Sequence, residues 1–332
     1  MQAKHCALLS LAFALVAICG SAARAEAPQG TAPGPPLWDS SAVRARFALQ
    51  LGDFSSRLRI AFASVLPGET LVIRARDRAG APLAVSVRGA RGLLQTQPSV
   101  WAFRAPSQPA QLRLRVSSAE ARDEIRLNVF VLVPRAAISK GRLNGYAIGE
   151  YPAAATVQGA RVEPPAGFIE VTRGNENTLV SPRFRLGAFL CKQKGSFPKY
   201  LVLDARLPAK LEALVDALHA SGLHAESLTV MSGYRTPEYN RELGNKTTWS
   251  RHLWGGAADV FIDESPRDGR MDDLDGNGVV DVRDSRRLFE LADSLDRDPP
   301  EDWVAGGAGY YAGTETHGPF VHVDVRGHAA RW

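Results

Sequence analysis

The chain has 332 residues, of which 40 are Lys or Arg and 35 are Asp or Glu, so its net charge is +5. Most of the basic residues occur singly along the chain, which excludes the concentrated basic stripe typical of nucleic-acid-binding proteins. After residue 25, no apolar run approaches the roughly 20 residues that a membrane-spanning helix requires. The length allows two domains of ordinary size.

The first 25 residues have the organisation of a secretory signal peptide. Lys4 precedes an apolar run from Leu8 to Ile18, and Ala23-Arg24-Ala25 has the A-x-A pattern of a cleavage site. We therefore expect an exported protein that is periplasmic or associated with the cell envelope. Two of the three cysteines would be removed with this segment, which leaves Cys191 as a buried thiol without a disulfide partner.

The next two segments predict a linker and an all-β domain. Residues 26–37 are rich in proline and glycine and have too little apolar content to fold. Between residues 38 and 135, apolar residues alternate with arginines in the segments Leu71–Arg76, Leu83–Arg88, Leu112–Val116 and Ile125–Val131. This alternation predicts an antiparallel, sandwich-like domain with arginines on solvated faces. No titratable cluster marks a catalytic site there, so we interpret it as a positioning or binding domain.

The patterning then changes to that of an α+β domain. Residues 136–164 predict a connector, and residues 165–332 predict the second domain. Leucine spacing, with Pro208 near the start and Gly222 at the end, predicts a helix over 207–222. Three apolar segments predict strands, at Leu228–Met231, Ala257–Ile262 and Phe320–Val325.

Histidine and aspartate residues beside two of these strands can converge on a metal ion. The residues between His252 and Asp259 include two glycines and two alanines, which leave space for both side chains. His322 and Asp324 lie two positions apart on a strand and therefore share a face. Two imidazoles and one carboxylate with an open fourth position are a common catalytic zinc shell. Each of these residues taken alone is more typical of a structural histidine or a cap, and the spacing alone leaves the metal site and the structural role equally open.

Three motifs together resemble the zinc peptidases of the D-alanyl-D-alanine carboxypeptidase family. The motifs are SGYRTP at 232–237, SRHLWGGAAD at 250–259 and FVHVD at 320–324. This family includes the vancomycin-resistance dipeptidases and cell-wall endopeptidases, and it shares its zinc-site fold with the hedgehog signalling domain. The resemblance covers residues 165–332 and does not extend to the predicted sandwich.

The resemblance implies an activity and a set of site residues. The activity is hydrolysis of an amide bond in peptidoglycan peptides by a zinc metallopeptidase of the D,D-carboxypeptidase or endopeptidase type. The implied zinc ligands are His252, Asp259 and His322, and the implied substrate-binding residues are Arg235, Ser250 and Tyr234. The planar guanidinium group of Arg235 suits a substrate carboxylate, because it offers two parallel donors.

The general base is the position at which the chain departs from some of these relatives. Those dipeptidases have a glutamate three residues before the last zinc ligand, and this position is Pro319 here. Asp324 is a candidate for the catalytic base, but it is equally suited to orient His322 through the other ring nitrogen. His317 and Glu315 are weaker candidates. The missing glutamate also leaves the alternative of a non-catalytic peptidoglycan-binding or signalling module that retains a structural zinc.

An acidic segment within an insertion at 268–298 resembles the calcium loop of dockerin-like EF-hands. Its ligand positions 1, 3, 5, 7, 9 and 12 are Asp273, Asp275, Asn277, Val279, Asp281 and Asp284. Gly278 occupies the sixth position, and a helical pattern follows the loop. We expect Ca²⁺ to stiffen this insertion, and an acidic solvated turn is the alternative.

Overall fold

A computed structural model describes residues 40–157, 160–223, 225–245, 247–300 and 303–332. The predicted signal peptide and the linker at 26–37 lie outside these ranges. Among the described residues, no helix has the length and apolar character needed to cross a membrane.

The first region is a two-layer β-sandwich preceded by the short helix α1, Ser40–Val43. Its strands are β1 Arg44–Leu51, β2 Phe54–Leu58, β3 Ile60–Val65, β4 Thr70–Arg76, β5 Ser86–Arg88, β6 Leu93–Gln97, β7 Val100–Arg104, β8 Ala110–Ser118 and β9 Asp123–Val131. One layer has the order β2-β1-β4-β7-β6, and the other has the order β3-β9-β8-β5. Alternate side chains, including Phe47, Phe103 and Leu127, are fully buried between the layers.

The sandwich differs from the sequence prediction in two details. Pairing is not purely antiparallel, because β3 lies parallel to β9 at the edge of its layer. The predicted strand at 83–88 is also shorter, and only Ser86–Arg88 pairs with β8. The backbone N–H groups of Leu83 and Val85 instead donate to Ala75 and Pro98, so the first half of this segment belongs to the other layer.

The second region contains a five-stranded main sheet, smaller sheets and three helices. Its elements are β10 Val133–Pro134, β11 Arg142–Leu143, β12 Tyr146–Ala147, β13 Ala155–Val157, β14 Ala160–Val162, β15 Gly167–Val171, β16 Lys199–Leu201, α2 Arg206–Ala220, β17 Thr229–Ser232, α3 Pro237–Glu242, β18 Ala257–Phe261, α4 Val282–Arg297, β19 Gly307–Tyr311, β20 Phe320–Asp324 and β21 Ala330–Arg331. The main sheet has the order β17-β18-β20-β19-β21. Helix α4 packs against β19, β20 and α2.

Part of the predicted connector at 136–164 packs into the second region's core. Leu143, Tyr146 and Ile148 are buried in the same apolar cluster as the leucines of α2. The sandwich also contacts this region through polar groups, because Asn128 Nδ2 donates to the Leu179 carbonyl at 2.8 Å. This part of the connector is therefore packed against the second region.

Helix α2 carries two buried charged residues that anchor other segments. Lys210 Nζ donates to the backbone carbonyls of Val304 and Asp324, each at 3.0 Å. Glu212 is fully buried, and Ser181 Oγ donates to it at 2.7 Å. Through Lys210, the helix holds the end of β20, where the predicted site residues lie.

Candidate metal centre

Three side chains meet on one face of the main sheet. Asp259 on β18 lies directly opposite His322 on β20, and His252 lies in the 3-10 turn Arg251–Trp254 that leads into β18. His252 Nε2 is 3.3 Å from both His322 Nδ1 and Asp259 Oδ1. His322 Nδ1 is 2.9 Å from the same Asp259 oxygen. The three predicted zinc ligands therefore form one group of two imidazole nitrogens and one carboxylate oxygen.

A glycine allows the turn to hold His252 close to the sheet. Gly255 has a φ of +65°, in the left-handed region that favours glycine. A Cβ at this position would lie 2.1 Å from the Val202 carbonyl oxygen, so a larger residue would push the turn outward. Ala257 and Ala258 follow as fully buried residues of β18. The small residues of the motif are therefore required by close packing around the ligands.

Hydrogen bonds orient both imidazole rings. His252 Nδ1 lies 2.6 Å from the Gly233 carbonyl oxygen, which can only accept, so Nδ1 carries the proton and Nε2 presents its lone pair to the group. Burial lowers the pKa of His252, which favours the neutral ring that binds metals. His322 faces the group with Nδ1, and its Nε2 lies 3.4 Å from Asp324 Oδ2.

The charges of the group favour an ionised carboxylate. Burial opposes charge on Asp259, yet His252 and His322 hold its pKa well below the usual value. Burial also opposes protonation of His322, but hydrogen bonds to Asp259 and Asp324 raise its pKa. A cation that binds between these atoms would displace the shared protons, as metals do at sites built from histidine and carboxylate.

The position of Asp324 distinguishes between its two predicted roles. Its side chain is fully buried and contacts the ring nitrogen of His322 that points away from Asp259. Asp324 Oδ1 also accepts a hydrogen bond from Gly307 N at 2.8 Å, and Arg326 forms an ion pair with the carboxylate. This geometry favours the predicted role of orienting His322 over that of a base, and both roles stay predictions.

Arg235 contacts the metal-ligand group directly. Its Nη2 forms an ion pair with Asp259 Oδ2, the oxygen that does not face the histidines, and its Nε donates to Ser232 Oγ at 2.9 Å. The guanidinium group also lines the cavity above the group. Arg235 therefore fixes the orientation of Asp259 as well as bordering the space in which a substrate would lie.

A cavity of about 500 Å³ opens over the three ligands. Its lining consists of Val157, Arg235, Asn245, Thr247, Trp249, Ser250, Arg251, His252, Asp259, Tyr311, Phe320, His322, Arg326 and Trp332. Ser250 borders the cavity as predicted. Tyr234 does not: only 1% of its surface is exposed, and its hydroxyl lies 2.7 Å from that of Tyr151. The structure therefore does not place Tyr234 in the cavity: the residue lies in the segment between β17 and α3, and its side chain packs into the core.

Comparisons with known proteins address the same region. Residues 185–271 match the family model described as Peptidase M15. The match covers part of the chain and shows that this segment is similar to the M15 peptidases. The match includes His252 and Asp259 and ends before His322, which the β18–β20 register brings to the other two ligands. The match supports a metallopeptidase. Peptidases of the M15 family depend on zinc.

Two further comparisons add nothing to this match. No curated protein matches the chain. Among solved structures, domains 4 and 5 of the S-layer protein SbsC are similar over 26% of this chain and 51% of that chain, at 13% identity. The chain thus spans about half of that structure, and a TM-score of 0.19 is too low to indicate a shared fold.

Several residues that line the cavity were not predicted from the sequence. Arg251 stands inside the M15 motif, between the two residues singled out there, and its charge next to a metal ligand was a usable signal. Arg326 and Trp332 follow the last motif, and their approach to His322 depends on the turn after β20. The Trp332 ring lies 5.3 Å from the His322 ring, and Arg326 lies over Trp332 at 5.1 Å. Only the folded chain shows these contacts.

The two weaker candidates for the base are absent from the lining of the cavity over the three ligands. His317 borders a separate cavity with Asp273 and Asp281, and its Nδ1 lies 2.9 Å from the Gly318 carbonyl oxygen. Glu315 is exposed. His317 contacts the ring of Phe320, a lining residue, at 5.2 Å, but neither candidate itself lines the cavity over the three ligands.

The acidic loop brings together part of the predicted calcium-ligand set. Carboxylate oxygens of Asp273, Asp275 and Asp284 lie within 4.8 Å of one another. Asp284 Oδ2 accepts from the backbone N–H of Asp281 at 2.8 Å, as part of a capping box at the start of α4. The Asp281 carboxylate is bonded to Arg283 instead of facing the other acids.

The remaining two predicted calcium ligands are not carboxylates. Asn277 donates a hydrogen bond to Asp275 through its side chain, and Val279, which would bind Ca²⁺ through its backbone carbonyl, is 53% exposed. The loop conformation is thus fully explained by capping and turn hydrogen bonds, which is also the arrangement expected of an acidic solvated turn. Calcium binding stays a prediction.

Proposed function

We propose that this protein is an exported zinc metallopeptidase that hydrolyses an amide bond in peptidoglycan peptides, as a carboxypeptidase or an endopeptidase. The observation that carries the proposal is the convergence of His252, Asp259 and His322 beneath a polar cavity, with two of them inside the M15 match. Export is proposed from the signal-peptide pattern of residues 1–25.

The donor chemistry of the group fits Zn²⁺. Two imidazole nitrogens and one carboxylate oxygen are ligands that zinc accepts, and three protein ligands leave a position for substrate. When bound there, Zn²⁺ supplies Lewis-acid activation of a carbonyl and of water. The hydrogen bond from His252 to Gly233 and the contact of His322 with Asp324 hold both rings in the orientation that binding requires.

Arg251 is the residue best placed to bind a substrate carboxylate. Arg235 and Arg326 both line the cavity, but each is already ion-paired with an aspartate. Among the described residues, Arg251 has no ion pair of its own, although it lines the same cavity. Burial lowers its pKa, and a substrate carboxylate would compensate for that cost. We therefore assign to Arg251 the anchoring role that the family resemblance gave to Arg235.

Aromatic residues form the walls of the cavity on two sides. Trp249 stacks on Trp254 with ring centroids 5.6 Å apart. Tyr311 stacks on Phe320 at 4.7 Å. A peptide that packs against these aromatic rings would be held with a carbonyl over the metal ligands.

Incubation with purified muropeptides tests the proposal. The wild-type protein should remove a terminal D-Ala or open a cross-link, and a chelator or the change His252→Ala should abolish the reaction. Products are identified by liquid chromatography and mass spectrometry. Absence of any metal-dependent product from all muropeptides tested would refute the peptidase function.

A second candidate is a module that binds peptidoglycan without cleaving it. The observation that favours it is the composition of the cavity: within the described part of the chain, Asp259 is the only carboxylate in its lining, and it is a metal ligand. A separate general base is therefore not evident there. Binding to sacculi that persists without product, and that requires zinc, would support this candidate over the peptidase.

A further inference from the structure

A second concave site lies in the sandwich, away from the metal centre. It is a groove of about 600 Å³ on the outer face of the β3-β9-β8-β5 layer, where that layer meets residues 177–185. Five arginines line it, namely Arg88, Arg113, Arg115, Arg126 and Arg185. The groove shares no residue with the cavity over His252, Asp259 and His322, so it can be tested separately from the proposed peptidase activity.

The strand register places three of these arginines in one row. Arg88 on β5 lies opposite Arg115 on β8, and Arg115 lies opposite Arg126 on β9. Directly opposed residues of neighbouring strands share a face, with Cβ atoms about 5 Å apart, and like charges in this arrangement destabilise a sheet. The row therefore opposes folding instead of contributing to it.

Acidic residues compensate little of this charge. Arg115 forms an ion pair with Glu124 at 3.2 Å, and Arg185 donates to the backbone carbonyl of Asn177. Across the ranges that the structure describes, the side chains of Arg88, Arg113 and Arg126 have no ion pair or hydrogen bond. Three guanidinium groups thus point into one groove with all of their donors available.

A close backbone contact between β5 and β8 lies at one end of the groove. Gly89 has a φ of +118°, and a Cβ there would lie 2.2 Å from the Arg113 carbonyl oxygen. Only glycine permits this approach of the chain to β8. The approach holds the end of β5, directly after Arg88, against the β8 backbone at Arg113, so the fold sets the positions of both arginines.

We propose that this groove binds an anionic polysaccharide through its carboxylate groups. Guanidinium groups form paired, parallel hydrogen bonds with carboxylates, and an anion between opposed arginines converts their repulsion into attraction. Asn177 is exposed at the groove and offers an amide to sugar hydroxyls. The lining contains no aromatic side chain, whereas sites for single-stranded nucleic acid use aromatic rings to stack the bases.

Binding of polygalacturonate to the full-length protein tests this proposal. Neutral dextran and single-stranded oligo-dT serve as comparison ligands, and binding is measured by calorimetry at about 0.02 M and about 0.5 M salt. The test variant combines Arg88→Gln, Arg113→Gln and Arg126→Gln. The matched control combines Arg74→Gln, Arg78→Gln and Arg104→Gln, which removes the same charge from or beside the other layer.

We expect salt-sensitive binding of polygalacturonate and none of dextran. The groove variant should bind about tenfold more weakly or worse, since three charged contacts are lost, and the control variant should bind as the wild type does. The melting temperature of the groove variant should equal or exceed that of the wild type, because the opposed charges are gone. Failure of the wild type to bind polygalacturonate would overturn the proposal, as would equal losses in both variants or tighter binding of oligo-dT.

Discussion

Replacement of Asp324 by asparagine separates the two roles that this residue can have at the metal centre. Asparagine keeps the shape of the side chain and an acceptor for Gly307 N, but it removes the charge that His322 and Arg326 face. Loss of a group that orients a metal-binding histidine typically costs 10–100-fold in metal affinity. We therefore expect the Kd for Zn²⁺ to rise by roughly that factor, which corresponds to about 1.4–2.7 kcal/mol.

Competition with a chromophoric chelator measures this change in Kd. Asp204→Asn is the matched control, because Asp204 bonds to the backbone N–H and guanidinium group of Arg206 much as Asp324 bonds to Arg326. The control should bind Zn²⁺ as the wild type does, since Asp204 touches no zinc ligand. If Asp324→Asn kept its zinc affinity within about twofold and lost only hydrolysis, Asp324 would be the base and the orienting role would be wrong.

Three further predictions concern substrate binding, pH and calcium. Arg251→Gln should raise KM about tenfold or more for a peptide with a free terminal carboxylate and leave the amidated peptide unaffected; equal changes for both peptides would contradict the anchoring role. Burial lowers the pKa of Lys210 from 10.5 to about 8, so the unfolded chain binds more protons between these values and the free energy of unfolding should rise there with pH, by about 3 kcal/mol. Urea unfolding of Lys210→Met should lack this rise, and identical pH slopes in both proteins would refute it. Saturating Ca²⁺, at about 100 times its Kd, should stabilise the wild type by about 2.7 kcal/mol and leave Asp273→Asn unchanged, whereas no shift in the wild type would leave the acidic turn as the explanation.

Elements with strong local patterns were predictable from the sequence. The predicted helix at 207–222 corresponds to α2, Arg206–Ala220, because apolar periodicity and a terminal glycine are properties of contiguous residues. The strand predicted at 320–325 corresponds to Phe320–Asp324 for the same reason. The short strands β2 and β6 were not predicted. Their burial patterns alternate weakly, and each is an edge strand that pairs only with its hairpin neighbour, β1 or β7, so pairing determines them and their own pattern does not.

The sequence by itself determined which residues are able to bind the metal, since the identities and spacing of His252, Asp259 and His322 carry that information. Only the tertiary structure decided that Asp324 contacts the far nitrogen of His322 and that Tyr234 is buried. The same holds for the row of opposed arginines, which the sequence pattern indicated only as solvated residues. The physical reason is that side-chain alternation defines the face on which a residue lies, whereas strand register and packing define what that face meets.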